Sequence, residues 1–254
     1  FDLDAVTTSI GGQARIDDGL FLGGALGWES SRLDDRRDST RVEGDSYLAA
    51  VSLKRETGPW TLTGAVDLGW GDYDSARKIA FGTTSETAKG SPDAFTAGAH
   101  LRAAYEIPRG AWYMEPALDL DLIYVELDSY TESGAGEFNL AVDSADTVVL
   151  TGTPWLKLGR RVDLAGGGTL DAFVSGGVSF SSGEDFSTTA RLAGAPSGAG
   201  DFTTEIDNPS VIGRISAGID LYATDRLELR LQYDGSFADG QTSNGALFRL
   251  SYFF

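Results

Sequence analysis

The chain has 254 residues, of which 41% are hydrophobic, and it carries a formal net charge of −18. This acidic balance argues against nucleic acid as a partner, because phosphate contacts need clustered lysines and arginines. The sequence contains no cysteine, which excludes a disulfide framework, a thiol nucleophile and a thiolate metal site. No run of about 18 apolar residues occurs, so the sequence offers no candidate for a transmembrane helix.

Alternation of apolar and polar residues is the dominant pattern, and it predicts about eleven strands and no convincing amphipathic helix. In chain order the strands lie near residues 5–16, 20–30, 45–55, 60–70, 95–105, 112–124, 147–160, 170–180, 211–221, 227–234 and 245–254. The pattern is clearest over 227–234, where Leu229 and Leu231 fall on one face and Arg230 on the other. A strand separates these side chains, whereas a helix would mix them.

The connections between the strands alternate between short and long. Short turns lie at 17–19, 57–59, 108–110, 166–168 and 223–225, and long connections lie at 31–44, 71–93, 125–146, 181–209 and 236–244. This asymmetry places the long connections at one end of the sheet, as in outer-membrane barrels. The predicted strands of 9–13 residues also match the tilted strand of about 9–11 residues that crosses a bilayer.

Aromatic residues indicate which face of the sheet meets lipid, because a soluble and a membrane barrel share the same alternation. On the apolar face, one set leads into long connections and another lies beside short turns or the C-terminus. The first set is Trp28, Trp70, Tyr124, Phe180 and Tyr233, and the second is Trp60, Tyr105, Trp112 and Tyr252. Two such girdles flanking an aliphatic band are typical of a barrel in a bilayer. A soluble sandwich would explain neither the girdles nor the loop asymmetry.

The strand count predicts how the sheet closes. An open sheet edge in lipid leaves backbone groups unpaired, so a membrane sheet closes into a barrel. Bacterial single-chain barrels have even strand numbers. We therefore predict an all-β fold, a closed antiparallel transmembrane β-barrel with twelve strands expected and about eleven present, as a single outer-membrane domain over residues 1–254. This count puts Phe1 at the long-loop end and predicts one more strand upstream of it.

A series of short segments occurs in an order that a known family shares. The segments are Leu22–Trp28, Tyr113–Pro116 leading to Tyr124, Tyr130–Gly136, Leu140–Val142, Ala217–Asp220, Leu231–Gly235 and the terminal Phe254. In this order they resemble strands two to twelve of the C-terminal translocator domain of type V secretion autotransporters. Nothing in the sequence resembles the family's first strand, linker helix or passenger.

The resemblance implies a non-enzymatic translocator and anchor that supports the export and surface display of an N-terminal passenger. It implies a bacterial outer-membrane location with the C-terminus in the periplasm and the long loops outside the cell. The implied partners are outer-membrane lipid and lipopolysaccharide, the barrel-assembly machinery, and the protein's own passenger and linker helix, with no cofactor. A free-standing, porin-like channel stays open as the alternative, and the segment encoded before Phe1 would separate the two functions.

Side chains on the polar face are the candidates for contact with a linker in the lumen. They are Gln13, Arg15, Asp67, His100, Arg102, Asp119, Asp121, Asp171, Arg214 and Arg230. Each could instead pair with neighbouring lumen charges and hold water. His100 is the only histidine, and a polar network suits it better than a catalytic site. Asp119 and Asp121 share a face, which leaves linker cleavage by carboxylates open.

Acidic side chains crowd two of the long connections. One holds Glu126, Asp128, Glu132, Glu137, Asp143 and Asp146, and the other holds Glu184, Asp185, Asp201, Glu205 and Asp207. Divalent cations could bridge these carboxylates to lipopolysaccharide phosphates, since hard cations prefer oxygen ligands. Solvated, mutually repelling loops are the simpler interpretation. Neither connection has EF-hand spacing, so no metal site is predicted.

The last strand carries the final prediction. Ala246, Phe248, Leu250, Tyr252 and Phe254 fall on its apolar face, with Arg249 and Ser251 on the other. By resemblance, Phe248, Leu250, Tyr252 and Phe254 form the signal that the assembly machinery recognises. Deleting Phe254 is therefore expected to impair assembly in cells more than refolding in detergent.

Overall fold

The computed structural model describes residues 1–35, 39–165, 167–183, 185–196, 200–224 and 227–252. Within these ranges the strands are β1 (Asp2–Asp17), β2 (Leu20–Asp34), β3 (Thr40–Thr57), β4 (Trp60–Phe81), β5 (Thr84–Gly90), β6 (Asp93–Tyr105), β7 (Ile107–Arg109), β8 (Trp112–Leu127), β9 (Tyr130–Thr131), β10 (Leu140–Val142), β11 (Ala145–Asp163), β12 (Thr169–Ser182), β13 (Phe186–Leu192), β14 (Phe202–Ile206), β15 (Val211–Thr224), β16 (Leu227–Ala238) and β17 (Gln241–Tyr252). A short 3₁₀ helix spans Gly136–Phe138. No helix in the described ranges is long and apolar enough to cross a membrane.

Eleven long strands form one antiparallel sheet in the order β1-β2-β3-β4-β6-β8-β11-β12-β15-β16-β17. The predicted number of strands and their antiparallel order are confirmed. Each long strand lies beside the long strands that precede and follow it in the chain. The connections at one end are tight turns. Gly19 and Gly58 take φ values of 66° and 56° in two of these turns, a conformation that side chains with a Cβ rarely adopt.

The strands are longer than predicted: β4 has 22 residues where 60–70 was predicted, and β11 has 19 residues where 147–160 was predicted. β11 extends at both ends, whereas the extra length of β4 lies at the long-loop end, where both faces of the sheet carry polar residues. Apolar–polar alternation fades there, so the hydrophobic pattern could not reveal that pairing continues.

The sheet is arranged inside out, with apolar side chains on its exposed face and polar side chains buried on the other. Leu231 and Phe248 are 60% and 69% exposed, whereas Asp220 is 2% and Ser179 is 0% exposed. We call the exposed apolar side the outer face and the polar side the inner face. Buried hydroxyls on the inner face bond to one another, as Thr153 Oγ1 does to Ser179 Oγ at 2.7 Å. A face of exposed leucines is unfavourable in water and is favourable in lipid.

The long connections fold into β-structure of their own, which was not predicted. The connection predicted at 71–93 is largely a hairpin in which the end of β4 pairs with β5. The β8–β11 connection, which holds β9 and β10, and the β12–β15 connection, which holds β13 and β14, form a separate four-stranded sheet in the order β14-β13-β10-β9. We call β5, β9, the 3₁₀ helix, β10, β13 and β14 together the loop cap. Its small core includes Ala88, Ala135, Val142 and Ala190, all nearly inaccessible.

The first and last strands form the two edges of the sheet. In the described part of the chain, β1 pairs only with β2 and β17 only with β16. Because all eleven strands alternate in direction, β1 and β17 run the same way. Asp2 pairs with Asp34, so the start of β1 lies at the long-loop end, as the strand count predicts. The sheet is thus a half-barrel whose opening lies between β1 and β17.

Candidate functional site

The inner face of the half-barrel collects the polar side chains that sequence alternation singles out. By cross-strand register, all ten candidates lie on this face: Gln13, Arg15, Asp67, His100, Arg102, Asp119, Asp121, Asp171, Arg214 and Arg230. Thr63, Arg102 and Asp119, for example, are successive partners across β4, β6 and β8. The register brings most of the ten into contact with charged or hydroxyl partners. Their contact with a linker remains a prediction.

His100 lies between two carboxylates at mid-height on the inner face. Its Nε2 is 2.5 Å from Asp67 Oδ1 and its Nδ1 is 2.8 Å from Asp121 Oδ1. Carboxylates only accept hydrogen bonds, so the doubly protonated imidazolium satisfies both contacts. Both ring nitrogens are therefore occupied, and neither is available to activate a serine as in a catalytic triad.

Arg102 forms an ion pair with Asp119, the other carboxylate of the Asp119 and Asp121 pair. Its Nη1 donates to both oxygens of Asp119 at 3.0 and 2.9 Å, and Glu115 lies 3.7 Å from its Nη2. Each aspartate thus has its own cationic partner. This arrangement suits a structural charge network better than two free carboxylates poised to cleave a peptide. In the described residues, no three His, Asp or Glu side chains converge on a position for a metal ion.

A denser network surrounds Asp171 near the short-turn end. Tyr113 Oη donates to Asp171 at 2.9 and 3.1 Å, and Arg161 Nε donates to it at 3.1 Å. Arg161 also binds Glu106 through two parallel hydrogen bonds of 2.9 and 2.7 Å. Asp171 was predicted to face the lumen, but Tyr113, Arg161 and Glu106 were missed. Tyr113 lies on alternate positions with Glu115 and Asp119 along β8. This alternation could have placed Tyr113 on the polar face.

The same network continues through Asp220, the direct cross-strand partner of Asp171. Two buried carboxylates side by side would repel each other, and each is balanced by its own arginine. Arg230 binds Asp220 through two 2.5 Å hydrogen bonds. Arg249 in β17 donates to Glu228 in β16 at 2.9 Å, which ties the last strand into the charge network. Asp220 and Glu228 carry the same alternation signal as the predicted residues.

Aromatic rings on the inner face lie flat across glycines of neighbouring strands. A Cβ built on Gly159 would lie 2.2 Å from the Tyr113 ring, and one on Gly218 would lie 2.7 Å from the Phe173 ring. The rings also receive cations, since Lys157 Nζ is 4.7 Å from the Phe173 centroid and Arg161 Cζ is 4.3 Å from that of Tyr113. Each ring thus occupies the space beside a glycine of the next strand and has a cation near its face.

The six girdle residues lie on the outer face: Trp28, Trp60, Trp70, Trp112, Tyr124 and Tyr233. Trp60 and Trp112 begin β4 and β8, whereas Trp28, Trp70 and Tyr233 lie within their strands, because these strands continue past them at the long-loop end. Trp60 packs edge-on against Tyr105 with ring centroids 4.9 Å apart. Trp70 and Tyr124 both contact Phe95. Tyr124 is partly buried. An interfacial role for these side chains remains a prediction.

Within the loop cap, the segment from β9 to β10 is held to the inner face of β4 by one buried carboxylate. Glu132, only 7% exposed, accepts hydrogen bonds from Arg77 at 3.0 and 2.5 Å and from the Leu140 amide at 2.7 Å. Burial next to this pair, and then the Glu132 charge, raise the pKa of Tyr130 above its ordinary value. The β8–β11 connection therefore folds inward over the mouth of the half-barrel.

The acidic side chains of the long connections are partly engaged within the protein. Glu132 binds Arg77, and Asp143 binds Arg191 at 2.8 Å, a hydrogen bond that raises the pKa of the arginine. Asp34 accepts from Arg41 and then Arg32, which lower its pKa. Glu184 lies outside the described residues. Cation bridging by the remaining carboxylates stays untested.

The terminal strand presents the predicted assembly residues on its outer face. Phe248, Leu250 and Tyr252 are all more than half exposed and alternate with Arg249 and Ser251. Phe254 lies outside the described residues. Recognition of this strand by assembly machinery remains a prediction.

The sequence is similar to a family of β-domains and to part of two longer proteins. Residues 1–234 match the family described as autotransporter beta-domain. The chain is 28% identical over 146 residues to proteins named Esterase EstA from Pseudomonas aeruginosa and Pseudomonas putida. The match covers 56% of this chain and 23% of theirs. The chain thus spans about a quarter of the length of these relatives.

Solved structures show the same fold. The chain superposes on the translocator domain of the autotransporter NalP from Neisseria meningitidis with a TM-score of 0.81 at 16% identity, covering 99% of this chain and 82% of that one. The β-domain of the Bordetella autotransporter BrkA gives 0.67 at 17%, covering 99% and 91%. The transport unit of AIDA-I from Escherichia coli gives 0.57 at 14%, covering 99% and 83%. Because the family match spans most of its length, the chain belongs to the autotransporter β-domain family, whose members are outer-membrane barrels.

Proposed function

We propose that this chain is the outer-membrane translocator and anchor of an autotransporter, and that it supports the export and surface display of an N-terminal passenger. The observation that carries the proposal is the inside-out sheet: exposed apolar side chains such as Leu231 surround a polar inner face that holds buried Asp171 and Asp220. Such a sheet gives a path of charged and hydroxyl groups for a polar peptide, shielded from lipid by the apolar outer face.

Barrel closure by one further strand is part of the proposal. The edge strands β1 and β17 run in the same direction, so direct pairing between them would be parallel. One additional strand running the other way is antiparallel to both, and it satisfies both rows of backbone groups that lipid would leave unpaired. A segment of the protein outside the described residues supplies this strand. A helical linker then occupies the lumen beside the Asp171 network.

The orientation follows from the loop asymmetry. The loop cap and the long connections lie outside the cell, and the short turns and the end of β17 lie in the periplasm, as in barrels with short periplasmic turns. In this orientation the exposed apolar residues Phe248, Leu250 and Tyr252, followed by the terminal Phe254, are presented to the assembly machinery from the periplasmic side. Lipopolysaccharide surrounds the long-loop end.

The test is surface display in cells. The full-length gene product carries an epitope in the region before this chain, and antibody binding to intact cells is measured by flow cytometry. Display is expected, and it should fall to background when Leu229, Leu231 and Phe248 are changed together to Asp, because charged side chains on the lipid face oppose insertion. The control changes Thr87, Ser133 and Glu137 of the loop cap to Asp. Its display should match wild type.

Two outcomes would overturn the proposal. The first is an inserted, protease-resistant barrel whose upstream epitope never reaches the surface. The second is a steady open conductance in planar bilayers that is identical with and without the upstream segment, which would favour a free-standing channel.

A further inference from the structure

The outer face carries a pair of arginines at the short-turn end that have no acidic partner. Arg109 in β7 and Arg160 in β11 are both cross-strand partners of Trp112 in β8. The three side chains therefore form one row across the sheet on the side that carries the exposed leucines. Neither guanidinium forms an ion pair within the described residues, and both side chains are exposed.

Trp112 fixes the position of this row relative to the apolar band. The indole is 58% exposed, and the Arg160 guanidinium carbon lies 5.3 Å from the centre of its ring. Exposed Leu158 and Leu118 continue the outer face toward the middle of the sheet. Tryptophan prefers the depth of the lipid headgroups, so the guanidinium groups beside it lie at headgroup depth as well.

The opposite end of the outer face has the contrary charge. Beyond Trp28 and Trp70, register places Glu43 beside Asp74 and Asp45 beside Asp72. The arginines there are already neutralised, because Arg32 and Arg41 both bind Asp34 at 2.7 Å. The guanidinium groups beside Trp112 are thus not neutralised as Arg32 and Arg41 are, and within the described residues they offer an anion a partner.

We propose that Arg109, Trp112 and Arg160 form a binding site for the phosphate headgroup of an anionic glycerophospholipid. The planar guanidinium forks donate parallel hydrogen bonds to phosphate oxygens, and the indole packs against the glycerol and upper acyl region. The acyl chains continue along Leu158 and Leu118. Charge, depth and apolar continuity together favour a lipid over a soluble phosphate, which would leave the apolar part of the site uncovered.

The test measures lipid retention by the full-length gene product in nonionic detergent. Native mass spectrometry follows titration with phosphatidylglycerol, phosphatidylcholine or inorganic phosphate. The wild type should retain phosphatidylglycerol preferentially. Each of Arg109→Gln and Arg160→Gln should weaken retention about fivefold, the effect of one basic residue near an anionic surface. The double variant should lose the preference for phosphatidylglycerol over phosphatidylcholine.

The matched control is Arg32→Gln, an outer-face arginine at the other end that already has an acidic partner. It should retain phosphatidylglycerol as the wild type does. The proposal is overturned if the wild type retains both lipids equally, if the double variant retains its preference, or if Arg32→Gln weakens retention as much as Arg160→Gln. Displacement of the lipid by millimolar inorganic phosphate would also overturn it, because the site would then be one for the free anion.

Discussion

Single residues on the inner face combine burial with charge, and this combination makes them sensitive to substitution. Asp220 is almost fully buried and depends on Arg230, whereas Arg15 and its partner Asp18 are both largely exposed. Removing one partner of a buried ion pair leaves a buried charge without a partner. The free energy of unfolding then falls by more than the intact pair contributed to it. An exposed pair contributes little because water screens it.

Arg230→Gln is therefore expected to lower the free energy of unfolding by about 2–3 kcal/mol. Arg15→Gln, the matched inner-face arginine, should change it by less than about 0.5 kcal/mol. Urea unfolding of the refolded protein in lipid vesicles, followed by tryptophan fluorescence, measures both. Equal destabilisation by the two substitutions would show that Asp220 does not depend on its arginine.

The glycines under the inner aromatic rings make a second prediction at this scale. Gly159→Ala places a Cβ within the Tyr113 ring, which must move away from Asp171, and the loss should be about 1–3 kcal/mol. Gly152→Ala is the control on the same strand, because its Cβ would meet only Leu120 at 3.5 Å. The same unfolding assay should find the control neutral. A neutral Gly159→Ala would mean that the Tyr113–Asp171 contact is not maintained.

At the scale of elements, the loop cap is a separate polar unit held to the end of the sheet. Its attachment runs through Arg77, Glu132 and the partly buried ring of Tyr130, which lies against Gly90. Burial raises the pKa of Tyr130, so the folded cap favours the neutral phenol. The stabilisation from this group is complete below the unfolded-state pKa of about 10. It is lost as the pH rises from there through the folded-state pKa.

The cap should therefore loosen in alkaline solution before the barrel unfolds. Limited proteolysis from pH 8 to 11 should show cleavage within the β8–β11 connection increasing above pH 10 in the wild type. Tyr130→Phe removes the ionisable group, so the increase should be smaller in that variant. An identical pH profile for the two proteins would contradict a role for Tyr130 ionisation.

Elements differ in how well the sequence predicted them. The eleven long strands and the face of each were predicted because lipid and lumen impose opposite polarity on alternate residues. The loop cap was not, since a segment such as Thr84–Gly90 is polar on both faces and leaves no periodic signal. Network partners such as Arg161 and Glu106 were missed for another reason. Glu106 follows β6 and Arg161 lies in β11, so the two side chains meet across the intervening β8. Alternation along one strand does not encode such a contact.

For the whole molecule, the central feature is the reversal of polarity between the two faces of one curved sheet. A soluble protein buries its leucines. This sheet instead exposes Leu231 and Phe248 on the outer face and buries Asp220 and Ser179 on the inner face. That reversal explains the aromatic girdles, the charge networks and the alternation along every long strand. It also explains why the family's barrels can hold a polar path inside an apolar exterior.

Cysteine scanning along β16 tests this reversal most directly, because the chain has no cysteine of its own. Single cysteines at Leu229, Leu231, Gln232, Tyr233 and Asp234 are introduced into the full-length protein in lipid vesicles. Reaction with a water-soluble maleimide is then measured. The account predicts that positions 232 and 234 react rapidly while 229, 231 and 233 are protected by lipid. The reverse pattern, or equal reactivity at all five positions, would contradict it.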